Sequence, residues 1–94
     1  MKIRFADSRL RDLAEDFRLA SREWGPDVAR RLVRRITFII GAASQADLFN
    51  GPGRFHPLTG DRKGEYAFDL SGAMRLIVRI EDDVVVLLNV EDYH

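Results

Sequence analysis

Two histidines, His56 and His94, are the side chains of this 94-residue sequence best suited to give and take protons near neutral pH. A pair suits a reaction that needs both a base and an acid. Cleavage of RNA by its own ribose 2′-hydroxyl is such a reaction: one group removes the 2′ proton, another protonates the departing 5′ oxygen, and a cation stabilises the extra negative charge on phosphorus. It needs no metal and no cofactor. His94 follows Asp92 and Tyr93. Asp92 can orient an imidazole, and Tyr93 can stack on a base. Arg75 and Arg79 fall on one face of an expected strand, about 13 Å apart. Arg75, nearer the turn, is the candidate for the scissile phosphate. Arg54, Arg62 and Lys63 flank His56 and, with Arg79, can steer an RNA backbone.

Each of these residues also has a plain structural reading. A histidine can be an ordinary surface residue, the last residues a frayed end, and an arginine run a solvated helix face. Other chemistries find less support. Gly51-Pro52-Gly53 lacks the lysine-serine ending of a phosphate loop. Two histidines 38 positions apart without carboxylates at ligand spacing make no metal set. The absence of cysteine excludes thiolate chemistry and disulfides and fits a reducing cytoplasm.

The elements that must position these groups follow from hydrophobic periodicity. Lys2-Ile3-Arg4-Phe5 alternates like a half-buried strand. Asp7 or Ser8 can cap a helix carrying Leu10, Leu13, Ala14, Phe17 and Trp24. Gly25-Pro26 breaks it and starts another. There Val28, Leu32, Val33, Ile36, Ile39 and Ile40 form an apolar stripe, and Arg30, Arg31, Arg34 and Arg35 fill the other face. Gly41 ends it. Residues 42–54 connect, with a short helical turn near Gln45–Phe49. From Glu65 the period becomes two. Strands at 65–70, 74–80 and 84–90 are separated by turns at Ser71-Gly72 and Glu81-Asp82-Asp83, and the last strand is apolar enough to lie in the sheet interior. The expected fold is α+β: an N-terminal strand and two helices packed on one face of a mainly antiparallel four-stranded sheet. Residues 1–94 read as a single domain.

Net charge is zero, yet residues 1–40 carry a balance of +4 and residues 41–94 one of −4. That argues against a general nucleic-acid coat while permitting a local basic face. No apolar run has the length of a signal peptide or membrane span, so no membrane partner and a cytoplasmic location are expected.

Three segments resemble a known family: Phe55-His56-Pro57-Leu58-Thr59-Gly60-Asp61-Arg62-Lys63-Gly64, then Met74-Arg75-Leu76-Ile77-Val78, then Glu91-Asp92-Tyr93-His94. Together they resemble the HigB branch of the RelE/ParE toxin superfamily, which includes the plasmid-maintenance killer proteins. The resemblance implies a RelE-like fold and a toxin of a type II toxin–antitoxin system. It implies metal-independent cleavage of messenger RNA on the ribosome, and an antitoxin partner carrying a helix-turn-helix DNA-binding domain. It places catalysis on His56, Arg75, Asp92, Tyr93 and His94. Several members carry lysine directly after the His-Pro-Leu run, where this chain has Thr59. A gyrase poison of the ParE type, or a decayed toxin that only binds its antitoxin, are the alternatives.

Overall fold

In the computed structural model, which describes residues 1–92, the expected first helix is two helices. After strand β1 (Lys2–Phe5), Asp7 caps α1 (Ser8–Glu15) by accepting from the Leu10 amide at 2.7 Å. Asp16 then leaves helical geometry and caps α2 (Phe17–Trp24), taking the Arg18 and Leu19 amides at 3.0 and 3.2 Å. An aspartate competes with the helix for backbone donors, and here it wins. Gly25, at φ +88°, turns the chain and Pro26 opens α3 (Pro26–Gly41). A short α4 (Gln45–Phe49) lies where a helical turn was expected.

The sheet has five strands rather than four. Its order is β1-β5-β4-β3-β2, with β2 (His56–Pro57) added at one edge, then β3 (Glu65–Asp69), β4 (Met74–Glu81) and β5 (Val84–Asp92). β1 runs parallel to β5, and the other neighbours are antiparallel. β5 is interior as expected, but the middle strand is β4. The extra strand was not legible because β2 has two residues, one of them proline, which suits an edge.

The main core lies between helices and sheet. Leu10, Val28, Leu32, Ile39 and Leu48 meet Phe68, Leu70, Leu76, Val78, Val85, Leu87 and Val90. Each large side chain buried there contributes about 1.5–3 kcal/mol. Two residues of the expected α3 stripe, Val33 and Ile40, are instead exposed. The expected solvated arginine face is also incomplete: Arg31 Nη1 donates to the Leu70 carbonyl at 2.9 Å and Arg35 Nε to that of Asp69 at 3.2 Å. Burial, then neighbouring Arg31, lowers the Arg35 pKa. A side chain at Gly53, φ +91°, would collide with Arg35. No helix among the described residues is long and apolar enough to cross a membrane.

Asp82 and Asp83, at φ 48° and 65°, form the turn between β4 and β5. Two consecutive positive φ values favour Asn-Gly in a two-residue hairpin turn. Asp83→Gly is therefore expected to raise stability. Relief of the left-handed strain outweighs the added freedom of the unfolded chain by about 0.5–1 kcal/mol. The urea midpoint should rise with an unchanged slope, and a lower midpoint would contradict this.

Candidate active site

The sheet face away from the helices carries the candidate residues His56 and Arg75, and a β-bulge determines which residues reach it. Ile77 pairs with Asn89 but Val78 pairs with Leu87, so Leu88 is an extra residue on β5. A bulge shifts the alternation of side chains by one. Val85 and Leu87 face the helices before it, and Val90 does after it. Asn89 and Glu91 consequently join Val86 on the open face. Without the bulge, Glu91 would point toward the helices.

Three rows of side chains cross this face. One holds Arg4, Val86, Arg79 and Glu65, the next Asn89, Ile77, Ala67 and His56, and the third Glu91, Arg75 and Asp69. His56 and Arg75 thus share a face, two strands and two residues apart, about 12 Å between their backbones from sheet spacings. Both side chains are long enough to approach one phosphate between them.

His56 is held from its own turn. Its Nδ1 lies 2.7 Å from the Arg54 carbonyl. A carbonyl only accepts, so Nδ1 carries the hydrogen and Nε2 of the neutral ring is the acceptor. Arg54 presents that carbonyl from a left-handed conformation, φ 49°. Its guanidinium grips Asp69 at 2.8 and 3.3 Å, and the Asp69 amide donates to the Gly53 carbonyl at 2.7 Å.

Arg62, expected to steer RNA, is engaged elsewhere. It lies at the end of a 3-10 turn (Gly60–Arg62) and binds both oxygens of Glu91, Nη1 to Oε1 at 2.6 Å and Nη2 to Oε2 at 2.7 Å. Its Nε donates to Glu65 Oε1 at 3.0 Å. These bonds raise the Arg62 pKa. They hold Glu91 below the usual carboxylate range against the opposing effect of burial, with Asn89 and Arg75 adding to the lowering. With a lowered folded-state pKa, Glu91 stabilises the fold above the ordinary carboxylate range. That contribution is lost as pH falls through the lowered value.

Arg79 pairs with Glu81 at 2.5 Å, and Arg4 joins the same carboxylate at 2.8 Å. Lys63 and Thr59 line one cleft of about 550 Å³ with Pro57, Leu58, Gly60, Gly64 and Tyr66. A smaller cleft, about 150 Å³, is lined by Arg54, Asp69, Ser71, Gly72 and Met74. Asp92 pairs with Met74, so backbone alternation puts it on the helix side of the sheet, opposite to Glu91 and Arg75. Tyr93 and His94 lie outside the described residues. No group of three or more potential metal ligands occurs among the described residues. Glu91, Glu65 and Asn89 were missed from sequence, and only the strand register with its bulge brings them in.

No protein-family model matches the chain. Two curated relatives do: toxin YoeB of Mycobacterium bovis and toxin RelK of Mycobacterium tuberculosis. Each is 38% identical over 65 residues, covering 69% of this chain and 74% of the relative. The fold is similar to the YoeB/ParE toxin from Agrobacterium tumefaciens, with TM-score 0.69, 16% identity and all of both chains covered. It is also similar to a chain of the YoeB-YefM complex from Staphylococcus aureus, with TM-score 0.67, 15% identity, and 100% of this chain and 97% of that one covered. These relatives carry YoeB and RelK names, not HigB. The chain belongs to the YoeB/RelE family of type II toxin–antitoxin toxins, built as helices on a mixed five-stranded sheet.

Proposed function

We propose that this toxin is an endoribonuclease that cleaves messenger RNA on the ribosome by attack of a ribose 2′-hydroxyl on the adjacent phosphate. The observation that carries the reading is the pairing of His56, with Nε2 as its acceptor, and Arg75 on one sheet face. His56 takes the 2′ proton and Arg75 balances the charge developing on phosphorus. His94 protonates the leaving 5′ oxygen and Tyr93 positions the nucleotide, while Asp92, turned to the helix side of the sheet, takes no direct part at the phosphate. The reaction balances without metal: one P–O bond forms, one breaks, and a proton moves from the 2′ to the 5′ oxygen.

The His-Pro-Leu run and the Asp-Tyr-His ending support a HigB-type site on the YoeB/RelE fold. Lys63, which lines the same cleft as Thr59, supplies the cation that other members carry at that position. Arg54 and Arg79 lie near enough to the open face to guide RNA when their carboxylates yield. The antitoxin partner is supported by the YoeB-YefM complex among the similar folds. We assign the protein to the cytoplasm on the same reading, since its target would be the ribosome.

Induced expression followed by primer extension on cellular messengers tests the activity. Cuts inside translated codons, absent from untranslated copies of the same message, are expected. Growth arrest with gyrase–DNA complexes and intact messengers would establish the gyrase-poison alternative, and harmless overexpression the antitoxin-binding one.

A further inference from the structure

We propose that Arg62 is a positioning residue, whose two-pronged ion pair with Glu91 latches the loop 57–64 across the open sheet face and so holds His56 in place. His56 sits on the weakest strand of the sheet. β2 makes only two residue pairs, His56 with Ala67 and Pro57 with Tyr66. Such a strand has little pairing of its own to define its position. The loop that leaves it must therefore supply the anchor.

The register shows how. Glu65 and Glu91 lie in rows two apart, on β3 and β5, with the row of Ala67, Ile77 and Asn89 between them. A guanidinium that touches both carboxylates must lie above that middle row, which is the row of His56. Ala67 and Ile77 are fully buried even though they face away from the helices, as such a cover requires. The loop is stitched to the sheet by the Leu58 amide, which donates to the Glu65 carbonyl at 2.9 Å. Arg62 thus reaches across β4 to the far strand. The side chains of its pair with Glu91 are 35% and 24% exposed, whereas those of the Arg54–Asp69 pair on the other flank of His56 are 63% and 35% exposed. A shielded, bidentate pair holds geometry where an exposed one contributes little.

For its kinetic consequence this proposal rests on the ribonuclease reading. The test uses the full chain with Arg62→Ala, Arg62→Lys, and the charge swap Arg62→Glu with Glu91→Arg, each compared with wild type. Single-turnover cleavage of ribosome-bound messenger should slow by about 10- to 100-fold in Arg62→Ala, the effect of misplacing a catalytic group by about 1 Å. Apparent affinity for the programmed ribosome and its salt dependence should stay unchanged. Lysine keeps the charge but not the fork, so Arg62→Lys should fall between. The swap should recover a large part of the rate. Weaker, more salt-sensitive binding with an unchanged cleavage rate would instead make Arg62 an RNA contact and overturn the proposal.

Hydrogen exchange separates this from failure of the ribonuclease reading. In Arg62→Ala the Leu58 amide should exchange about tenfold faster or more. The Ala6 amide, bonded to Leu87 at the far side of the sheet, should keep its protection and report that the fold is intact. If wild type cleaves no RNA, the activity reading fails and the exchange result still decides the latch. Unchanged Leu58 protection in both Arg62→Ala and Arg62→Lys overturns it.

Discussion

Replacing His56 with alanine is expected to slow RNA cleavage by about 10²–10⁴-fold, the worth of one positioned proton-transfer group. The cost to stability should be small. His56 is only half-buried, and the substitution removes one hydrogen bond, about 0.5–1.5 kcal/mol, at a sheet edge. A second substitution separates chemistry from structure. Asparagine at 56 can still donate from its amide nitrogen to the Arg54 carbonyl but has no group that takes a proton near neutral pH. His56→Asn should therefore melt close to wild type and be nearly as inactive as alanine. Single-turnover cleavage and thermal unfolding of the same preparations decide it. Activity of His56→Asn within a few-fold of wild type would remove His56 from proton transfer.

The tautomer on which this expectation depends was not legible in the sequence. It needs Arg54 in a left-handed conformation, and nothing in an arginine's identity announces that. Much else was legible. Period-two runs located β3, β4 and β5, and Gly25-Pro26 marked the start of α3, because these signals are local. Several of the errors share a cause: they turned on a choice between local and nonlocal hydrogen bonds. Asp16 looked like one polar residue within a helical pattern, yet its carboxylate ended one helix and began the next. Arg31 and Arg35 looked like solvent-facing charge, yet two carbonyls at the end of β3 lie within their reach. The bulge at Leu88 is the deepest case. Val84 to Val90 is nearly all apolar, so no alternation exists from which a shift could be read. That one residue moved Glu91 to the side of Arg75 and Asp92 to the other.

The largest effect on stability is expected at Phe68. Its ring is fully buried, 4.5 Å from that of Phe55. Phe55 in turn stacks on Tyr66 at 4.9 Å and meets Phe49 edge-on at 4.7 Å. Phe68→Ala removes the base of this cluster and should cost about 3–5 kcal/mol. Set against a total of about 5–15 kcal/mol for a domain, that leaves a marginal fold. The cluster also bears on the site, because Phe55 immediately precedes His56. A ring that tilts into the vacated space pulls the two-residue strand with it. Phe68→Leu fills more of the space and should cost about 1–2 kcal/mol, leaving enough folded protein for kinetics. Per folded molecule, its cleavage rate should fall more than that of a variant equally destabilised at a distance, such as Leu13→Val on α1. Urea titration of the three proteins supplies the stabilities, and single-turnover cleavage the rates. A loss below about 1 kcal/mol for Phe68→Ala would show that the ring is not bearing the packing assigned to it. Equal rates for Phe68→Leu and Leu13→Val would show that the aromatic cluster supports the fold without aiming His56.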